Sequence, residues 1–466
     1  MRATQSSWEH ADTLRLVAVG LAALVARVAY LAFLDVPQYD PWRHLHLVDN
    51  LRAGLGFTLF DGQPFLWYSP SWYRLVAVFP EIVRPEWVAA LCSILAVPLF
   101  YGFLRSSENR LVATIGALLL ALCGPVVRFT CHYGPEAFAL CVALAALWLF
   151  CSSRAVVWAA LAGSLYGVAL AARMNFLFMS PMFVPTLRTR ARTVAFGAGT
   201  FVPLALSWWR NHSVISSHDW VFTWDGLATR SADFNPLSTL ILQLHPAVKE
   251  GLRRLHEIVA PVPQWTQSWW LIAFVALGSL AGLASRRLWL GLTIAGTLFY
   301  FLVLDDGMSS NFFRIYLVLF PAFAYAVALV CNRFSDDPVV VAAVIAVFLG
   351  SGAPMFRPPP MVPIGMVTPP PGLLGDELYL VNSGFFHPEG MMRGHPERRF
   401  LGLPIDDAQL EDFLADYSEA RTVLWHDFSV QDEVREALIA RPGTTLERSA
   451  VNDFGRRYTV FELEAR

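Results

Sequence analysis

The stretch YDPWRHLHLVDNLRAGLGF, which begins at Tyr39, places an acid and two histidines directly after an apolar run of the chain. Asp40 carries a carboxylate and His44 an imidazole, and enzymes use both groups to take up and release protons. Asp40 also precedes Pro41, and an aspartate before a proline is a common helix start, so helix capping is the alternative role. The pattern alone leaves both roles open.

A helix must position these groups, because apolar residues recur at helical spacing through the same stretch. They are Leu45, Val48, Leu51 and Leu55. Two glycines, Gly54 and Gly56, are expected to end this helix. We therefore predict an amphipathic helix that lies in the membrane interface, with Asp40 at its start.

The composition indicates a membrane protein. Of the 466 residues, 55% are hydrophobic and only 15% are charged, which is outside the usual range of soluble domains. The formal net charge of -2 gives no basis for electrostatic binding to nucleic acid. The sequence predicts a polytopic helical protein surrounded by membrane lipids.

Eleven apolar segments are candidates for crossing a bilayer, which takes about twenty residues. They lie at approximately residues 14–34, 87–104, 111–127, 136–151, 155–172, 175–187, 193–209, 268–285, 288–304, 312–331 and 338–353. The sixth is short, and a re-entrant segment is its alternative. The first continues to Leu34, which favours an uncleaved span over a signal peptide.

Arginines mark one side of the membrane, since alternate loops between the candidate spans are short and basic. They contain Arg105, Arg110, Arg154, Arg188, Arg190, Arg192, Arg286, Arg287 and Arg333. The positive-inside rule makes these loops and the N-terminus cytoplasmic. Residues 35–86, 210–267 and the chain after Gly352 are then exterior.

The chain after the last candidate span changes in character. Residues 354–375 are rich in proline and predict an extended linker between a membrane domain, residues 1–353, and a soluble segment, residues 376–466. The strings ELYLVN, RRFLGLP, TVLWHDF and RRYTVFELE predict strands, and DDAQLEDFLADYSEA and VQDEVREALIA predict helices. We expect a small α/β extracytoplasmic domain with an accessory or acceptor-positioning role.

The order of several segments resembles that of the GT-C membrane glycosyltransferases. The first external loop carries Asp40, NLRAGLGF and PFLWYSPSWY; later come HYGPEAF, LALSWWRNHSVIS and FFRIYLVLFPAFAYAVA. The similarity spans about residues 14–335, and DPWRHLHLVDNL also resembles a loop of the oligosaccharyltransferase catalytic subunit. The WWD motif of that subunit is absent. Many bacterial relatives of the protein mannosyltransferases have a second acid where this chain has Pro41.

The resemblance implies a GT-C fold and a polyprenyl-phosphate-linked sugar as donor. It implies transfer of a hexosyl or pentosyl group to a hydroxyl of a lipid, glycan or protein at the outer face of the plasma membrane. With Asp40 as the only base, a single displacement with inversion is expected. The residues expected to bind the donor phosphate are Arg210, Arg314 and Arg128 with His132. Those expected near the acceptor or sugar are His44, Trp67, Tyr68 and Glu136.

Each of these assignments has a simpler alternative. Arginines at helix ends commonly extend to lipid headgroups, aromatic residues collect at the membrane interface, and an acid such as Glu136 is favoured at a helix start by the helix dipole. Asp305 and Asp306, with Asp40 and His44, could bind a divalent cation, but acids in loops are usually only solvated. No cofactor is predicted with certainty. At the level of the whole chain, a multi-pass transporter and a catalytically degenerate binding or assembly protein are the alternatives.

Overall fold

The computed structural model describes most of the chain. The described residues are 10–33, 39–59, 62–66, 69–131, 134–186, 189–222, 228–231, 269–304, 317–353, 369–370, 372–375, 378–382, 398–404, 407–426, 432–453, 455 and 457–464.

Helices dominate the described part. In chain order they are α1 (His10–Ala32), α2 (Tyr39–Arg52), α3 (Ser71–Val78), α4 (Pro85–Ser107), α5 (Arg110–Leu122), α6 (Gly124–Thr130), α7 (Glu136–Ser152), α8 (Val156–Ala172), α9 (Arg190–Ser217), α10 (Trp269–Ala284), α11 (Leu288–Leu304), α12 (Leu319–Arg333), α13 (Pro338–Gly352), α14 (Leu410–Asp416) and α15 (Asp432–Ala440). A 3-10 helix, Met174–Thr186, follows α8 where the short sixth span was predicted.

The strands are short and mostly near the C-terminus. They are β1 (Thr58–Leu59), β2 (Gln63–Pro64), β3 (Trp220–Phe222), β4 (Ala228–Arg230), β5 (Tyr379–Val381), β6 (Phe400–Gly402), β7 (Thr422–His426), β8 (Thr444–Val451) and β9 (Arg457–Leu463).

The chain forms two compact units, each assembled from three segments. Unit 1 contains Met1–Leu34, Val83–Ser207 and Leu237–Pro358, and unit 2 contains Asp35–Ile82, Trp208–Pro236 and Pro359–Arg466. Unit 1 holds the long apolar helices, and unit 2 holds the strands.

Two helices of unit 1, α1 and α4, are long and apolar enough to cross a membrane. The pair α5 and α6 passes the same test together but bends by 57° at the break between them. Seven further apolar helices of the described part are shorter than the eighteen residues required, and α9, which is 28 residues long, is not among the helices that pass. A mostly helical fold with two or three helices able to cross a membrane is thus confirmed, whereas the count of eleven spans stays a prediction.

Polar side chains fix where several of these helices begin. The Asn109 side chain accepts a hydrogen bond from the Val112 amide at the start of α5, at 3.0 Å. Asp337 accepts from the amides of Val339 and Val340 at the start of α13, where Pro338 is the first helical residue. Such caps satisfy amides that have no partner within the helix.

Small residues let α8 and α9 approach closely within unit 1. Gly163 and Gly167 of α8 lie against backbone carbonyls of Phe196 and Thr200, and Gly199 of α9 lies against the Ala160 carbonyl. A side chain at these glycines would overlap the facing backbone, so the helix contact depends on their size.

Unit 2 contains a five-stranded mixed sheet in the order β6-β5-β7-β9-β8. Strand β5 runs parallel to its neighbours β6 and β7, whereas β9 runs antiparallel to β7 and β8. Four of these strands and the helices α14 and α15 coincide with the sequence prediction, which confirms a small sheet domain near the C-terminus. Strand β8 was not predicted.

The hairpin of β3 and β4 packs on this sheet domain within unit 2. The Trp220 indole donates to the Asp416 carboxylate at 2.8 Å, and its ring meets Phe413 edge to face at 4.8 Å. Arg230 pairs with Asp412. The segment that carries Arg210 is therefore tied to the C-terminal part of the chain.

Candidate functional site

The helix that carries Asp40 forms as predicted. It begins at Tyr39, which places Asp40 in its first turn. It ends at Arg52, ahead of Gly54 and Gly56, whose φ angles of +76° and +83° suit glycine. His44 follows Asp40 by four residues, so the two positions lie on the same helix face, and the side chain of His44 is described.

His44 joins α2 to α3. Its side chain is buried, and the Nδ1 atom lies 2.7 Å from the Tyr73 hydroxyl. The two rings are 5.6 Å apart. Because Tyr73 is fully buried, this hydrogen bond fixes the imidazole against α3, one turn after Asp40.

Arg210 reaches the same part of unit 2 from α9. Its guanidinium donates to the Phe65 carbonyl at 3.2 Å and to the Asn211 side chain at 3.0 Å. It lies over the Phe57 ring, 5.1 Å from the centroid, and Phe57 lies 4.9 Å from the Tyr73 ring. A continuous set of contacts therefore leads from His44 through Tyr73 and Phe57 to Arg210.

Arg74 is a second cation near Arg210, and sequence reasoning missed it. Burial, and then the positive charge of Arg74, lowers the pKa of Arg210 to about 10. Arg210 stays protonated at neutral pH, and an anion that approached would relieve the repulsion. No carboxylate with a described side chain forms a salt bridge with either arginine. The sequence feature that could have identified Arg74 is its position directly after the aromatic segment WYSPSWY.

Two other predicted residues lie in unit 1. Arg128 is in the last turn of α6, with its guanidinium 5.5 Å from the Phe129 ring. Glu136 begins α7 and is buried, and it forms an ion pair with Arg173 at the end of α8. Within the helix bundle, the Arg173 guanidinium therefore balances the charge of the Glu136 carboxylate.

Several predicted residues lie outside the part of the chain that the structure describes. They are Trp67, Tyr68, His132, Arg314, Asp305 and Asp306. The side chain of Asp40 is also outside it, although its backbone is placed in α2.

The described residues do not assemble a metal site. Among them, no group of three His, Cys, Asp or Glu residues lies close enough to hold an ion. The predicted cation ligands Asp305 and Asp306 fall outside the description.

The fold is similar to those of solved membrane enzymes. ArnT from Cupriavidus metallidurans, solved with undecaprenyl phosphate, matches with a TM-score of 0.53 at 11% identity over 95% of this chain and 97% of that one. The same protein without ligand matches at 0.51, with 12% identity, over 97% and 98%. The Archaeoglobus fulgidus oligosaccharyltransferase, solved with Zn and sulfate, matches at 0.52 with 12% identity over 88% of this chain and 68% of that one.

The chain has the fold of the GT-C glycosyltransferases. The expected GT-C fold is thus confirmed. No protein-family model and no curated protein sequence matches the chain. The likeness to these neighbours is one of fold, since residue identity to them is only 11–12%.

Proposed function

We propose that this GT-C protein moves a sugar from a polyprenyl phosphate to a hydroxyl acceptor, with inversion at the anomeric carbon. The observation that carries the proposal is the arginine pair of unit 2. Contacts lead from His44, on the helix that carries Asp40, through Tyr73 and Phe57 to Arg210, and the positive charge of Arg74 acts on Arg210 within the same unit.

A phosphate is the ligand that best suits two neighbouring guanidinium groups. Guanidinium groups bind phosphate oxygens through pairs of parallel hydrogen bonds, and each such bond to a charged group is worth about 1.5–3 kcal/mol. Arg210 is already oriented by the Phe65 carbonyl and Asn211, so little side-chain entropy remains to be lost on binding. The ArnT neighbour was solved with undecaprenyl phosphate, which supports a lipid phosphate as the donor.

Asp40 is the proposed base. It accepts the proton of the acceptor hydroxyl while the acceptor oxygen bonds to the anomeric carbon. The bond from that carbon to the phosphate oxygen breaks, and its electron pair leaves with the phosphate. Arg210 and Arg74 stabilise the charge that develops on the phosphate, and His44 with Tyr73 holds the helix of Asp40 in place.

A divalent cation enters no step of this proposal. The oligosaccharyltransferase neighbour was solved with Zn, but the described residues of this chain do not form a group of metal ligands. The group transferred in this proposal is a hexosyl or pentosyl group, and the acceptor is a hydroxyl of a lipid, glycan or protein.

The proposed topology has eleven spans in the plasma membrane and a cytoplasmic N-terminus. The basic loops between alternate spans support it. The segments of unit 2 are then exterior, where a sugar carried across the membrane on a lipid is the accessible donor.

Binding of polyprenyl phosphate tests the arginine pair. We expect Arg210→Gln and Arg74→Gln each to weaken binding about tenfold or more, because each removes a charged hydrogen-bond donor. The matched control is Arg421→Gln, which removes an exposed arginine of unit 2 outside the site. Titration of the purified variants with polyprenyl phosphate, followed by tryptophan fluorescence, measures the dissociation constants. Equal affinity of all three variants and the parent would remove the basis of the proposal.

A further inference from the structure

A break in one apolar segment sets the direction of the helix that carries Arg128. Helix α5 ends at Leu122 and α6 begins at Gly124, and the axes of the two helices differ by 57°. Cys123, between them, has an extended backbone with φ of -68° and ψ of 113°. Pro125 follows at the start of α6.

Pro125 leaves a buried carbonyl without its helical donor. Proline has no amide hydrogen, so the carbonyl four residues earlier, that of Ala121, loses the bond of a continuous helix. The Arg27 side chain donates to this Ala121 carbonyl from α1. Arg27 is fully buried, and its guanidinium takes over the missing bond at the break.

A second nitrogen of the Arg27 guanidinium is bonded to a series of hydrogen-bonded hydroxyl groups. Its Nε donates to the Ser93 hydroxyl of α4 at 3.0 Å, and Ser93 lies 2.6 Å from the Thr130 hydroxyl of α6. The Thr130 hydroxyl in turn donates to the Val126 carbonyl within α6. Ser93 and Thr130 are fully buried, so these bonds lie away from water, where a lost partner is costly.

We propose that Arg27 is a positioning residue, which fixes the direction of α6 and thereby the place of Arg128. One guanidinium holds the end of α5 through Ala121 and the end of α6 through Ser93 and Thr130. The consequence for binding rests on the proposed function, together with the expectation from the sequence that Arg128 is among the residues that bind the donor phosphate.

The geometry requires arginine at this position. A guanidinium presents donors along two edges of a plane and can contact Ala121 and Ser93 at once. An ammonium group donates from a single nitrogen, so Arg27→Lys keeps the charge but loses the bridge. Thr130→Val removes one hydroxyl at nearly constant volume and provides a second variant without a change of charge.

The reactivity of the Cys131 thiol measures whether α6 keeps its position, and this measurement needs no sugar donor. It directly follows α6 and is fully buried. The test uses the full chain with the other five cysteines replaced by alanine, and measures the rate at which a small maleimide modifies Cys131. The matched control is Thr114→Val, since within the described part of the chain the Thr114 hydroxyl donates to the Arg110 carbonyl of its own helix.

We expect Arg27→Lys and Thr130→Val to speed modification of Cys131 about tenfold, the effect of one or two lost hydrogen bonds, and to weaken polyprenyl phosphate binding several-fold. Thr114→Val should change neither. Unchanged protection of Cys131 in both variants would overturn the bracing role, whatever the donor is.

The link to Arg128 has its own control. Unchanged polyprenyl phosphate affinity in Arg128→Gln, together with lost affinity in Arg210→Gln, would overturn the positioning role and leave the proposed function intact. Unchanged affinity in Arg210→Gln and Arg74→Gln would instead overturn the proposed function, while the protection of Cys131 still decides whether Arg27 braces α6.

Discussion

At the scale of residues, unit 2 places the first turn of α2 and two arginines in one compact body. His44 and Arg210 come from segments far apart in the sequence, yet Tyr73 and Phe57 connect them. This arrangement separates two tasks. In the proposed reaction, the arginines hold the negative charge of the phosphate, and Asp40 at the start of α2 supplies the base.

Replacing Asp40 by asparagine tests the base. Asp40→Asn keeps the shape of the side chain but loses its proton affinity, so we expect the turnover number to fall about 100-fold to 10,000-fold. Polyprenyl phosphate affinity and the unfolding midpoint should stay close to those of the parent. Turnover within about threefold of the parent would instead assign Asp40 a role in starting α2.

The residue types of the site were partly predictable. Asp40, His44 and Arg210 stand out because titratable groups beside apolar runs are uncommon. Arg74 does not, because only the effect of its charge on Arg210, which is distant in the sequence, distinguishes it from other arginines. The Glu136 and Arg173 pair was missed for the same reason, since nothing in local spacing encodes a partner on another helix.

At the scale of elements, the contact between α8 and α9 depends on glycine. Gly163→Ala would drive a methyl group into the Phe196 carbonyl, and we expect a loss of about 1–3 kcal/mol in unfolding free energy. Gly197→Ala on α9 is the matched control, because nothing lies within 4 Å of its added methyl. The control should be neutral or stabilising by up to about 1 kcal/mol. Thermal unfolding of both variants in detergent measures the difference; equal midpoints would show that the helices do not pack as described.

The pattern of apolar residues predicted some helices and strands correctly and missed others. Long apolar runs predicted the helices of unit 1, because burial and lipid contact both require such runs. The predicted span at residues 111–127 is broken instead, and Pro125 is the physical reason. Strand β8 lies at the edge of its sheet and carries Glu447 and Arg448, so it lacked the alternating apolar pattern of an internal strand.

At the scale of the whole molecule, the sides of the membrane decide which donor reaches the site. We expect an impermeant thiol reagent to modify a cysteine at Asp453 from outside intact cells, and a cysteine at Ser107 only after permeabilisation. Both positions are exposed, and the native cysteines are replaced in both variants. The reverse pattern would invert the topology and place the segments of unit 2 in the cytoplasm.

The most direct test of the central claim is transfer by the purified full-length protein in two separate reactions, one with a labelled polyprenyl-phosphate sugar and one with a labelled nucleotide sugar. The proposal predicts product from the lipid-linked sugar alone, with inverted anomeric configuration, because a single base supports one displacement. Turnover with this donor should fall in Asp40→Asn. Transfer from the nucleotide sugar alone, or a product of retained configuration, would contradict the proposed function.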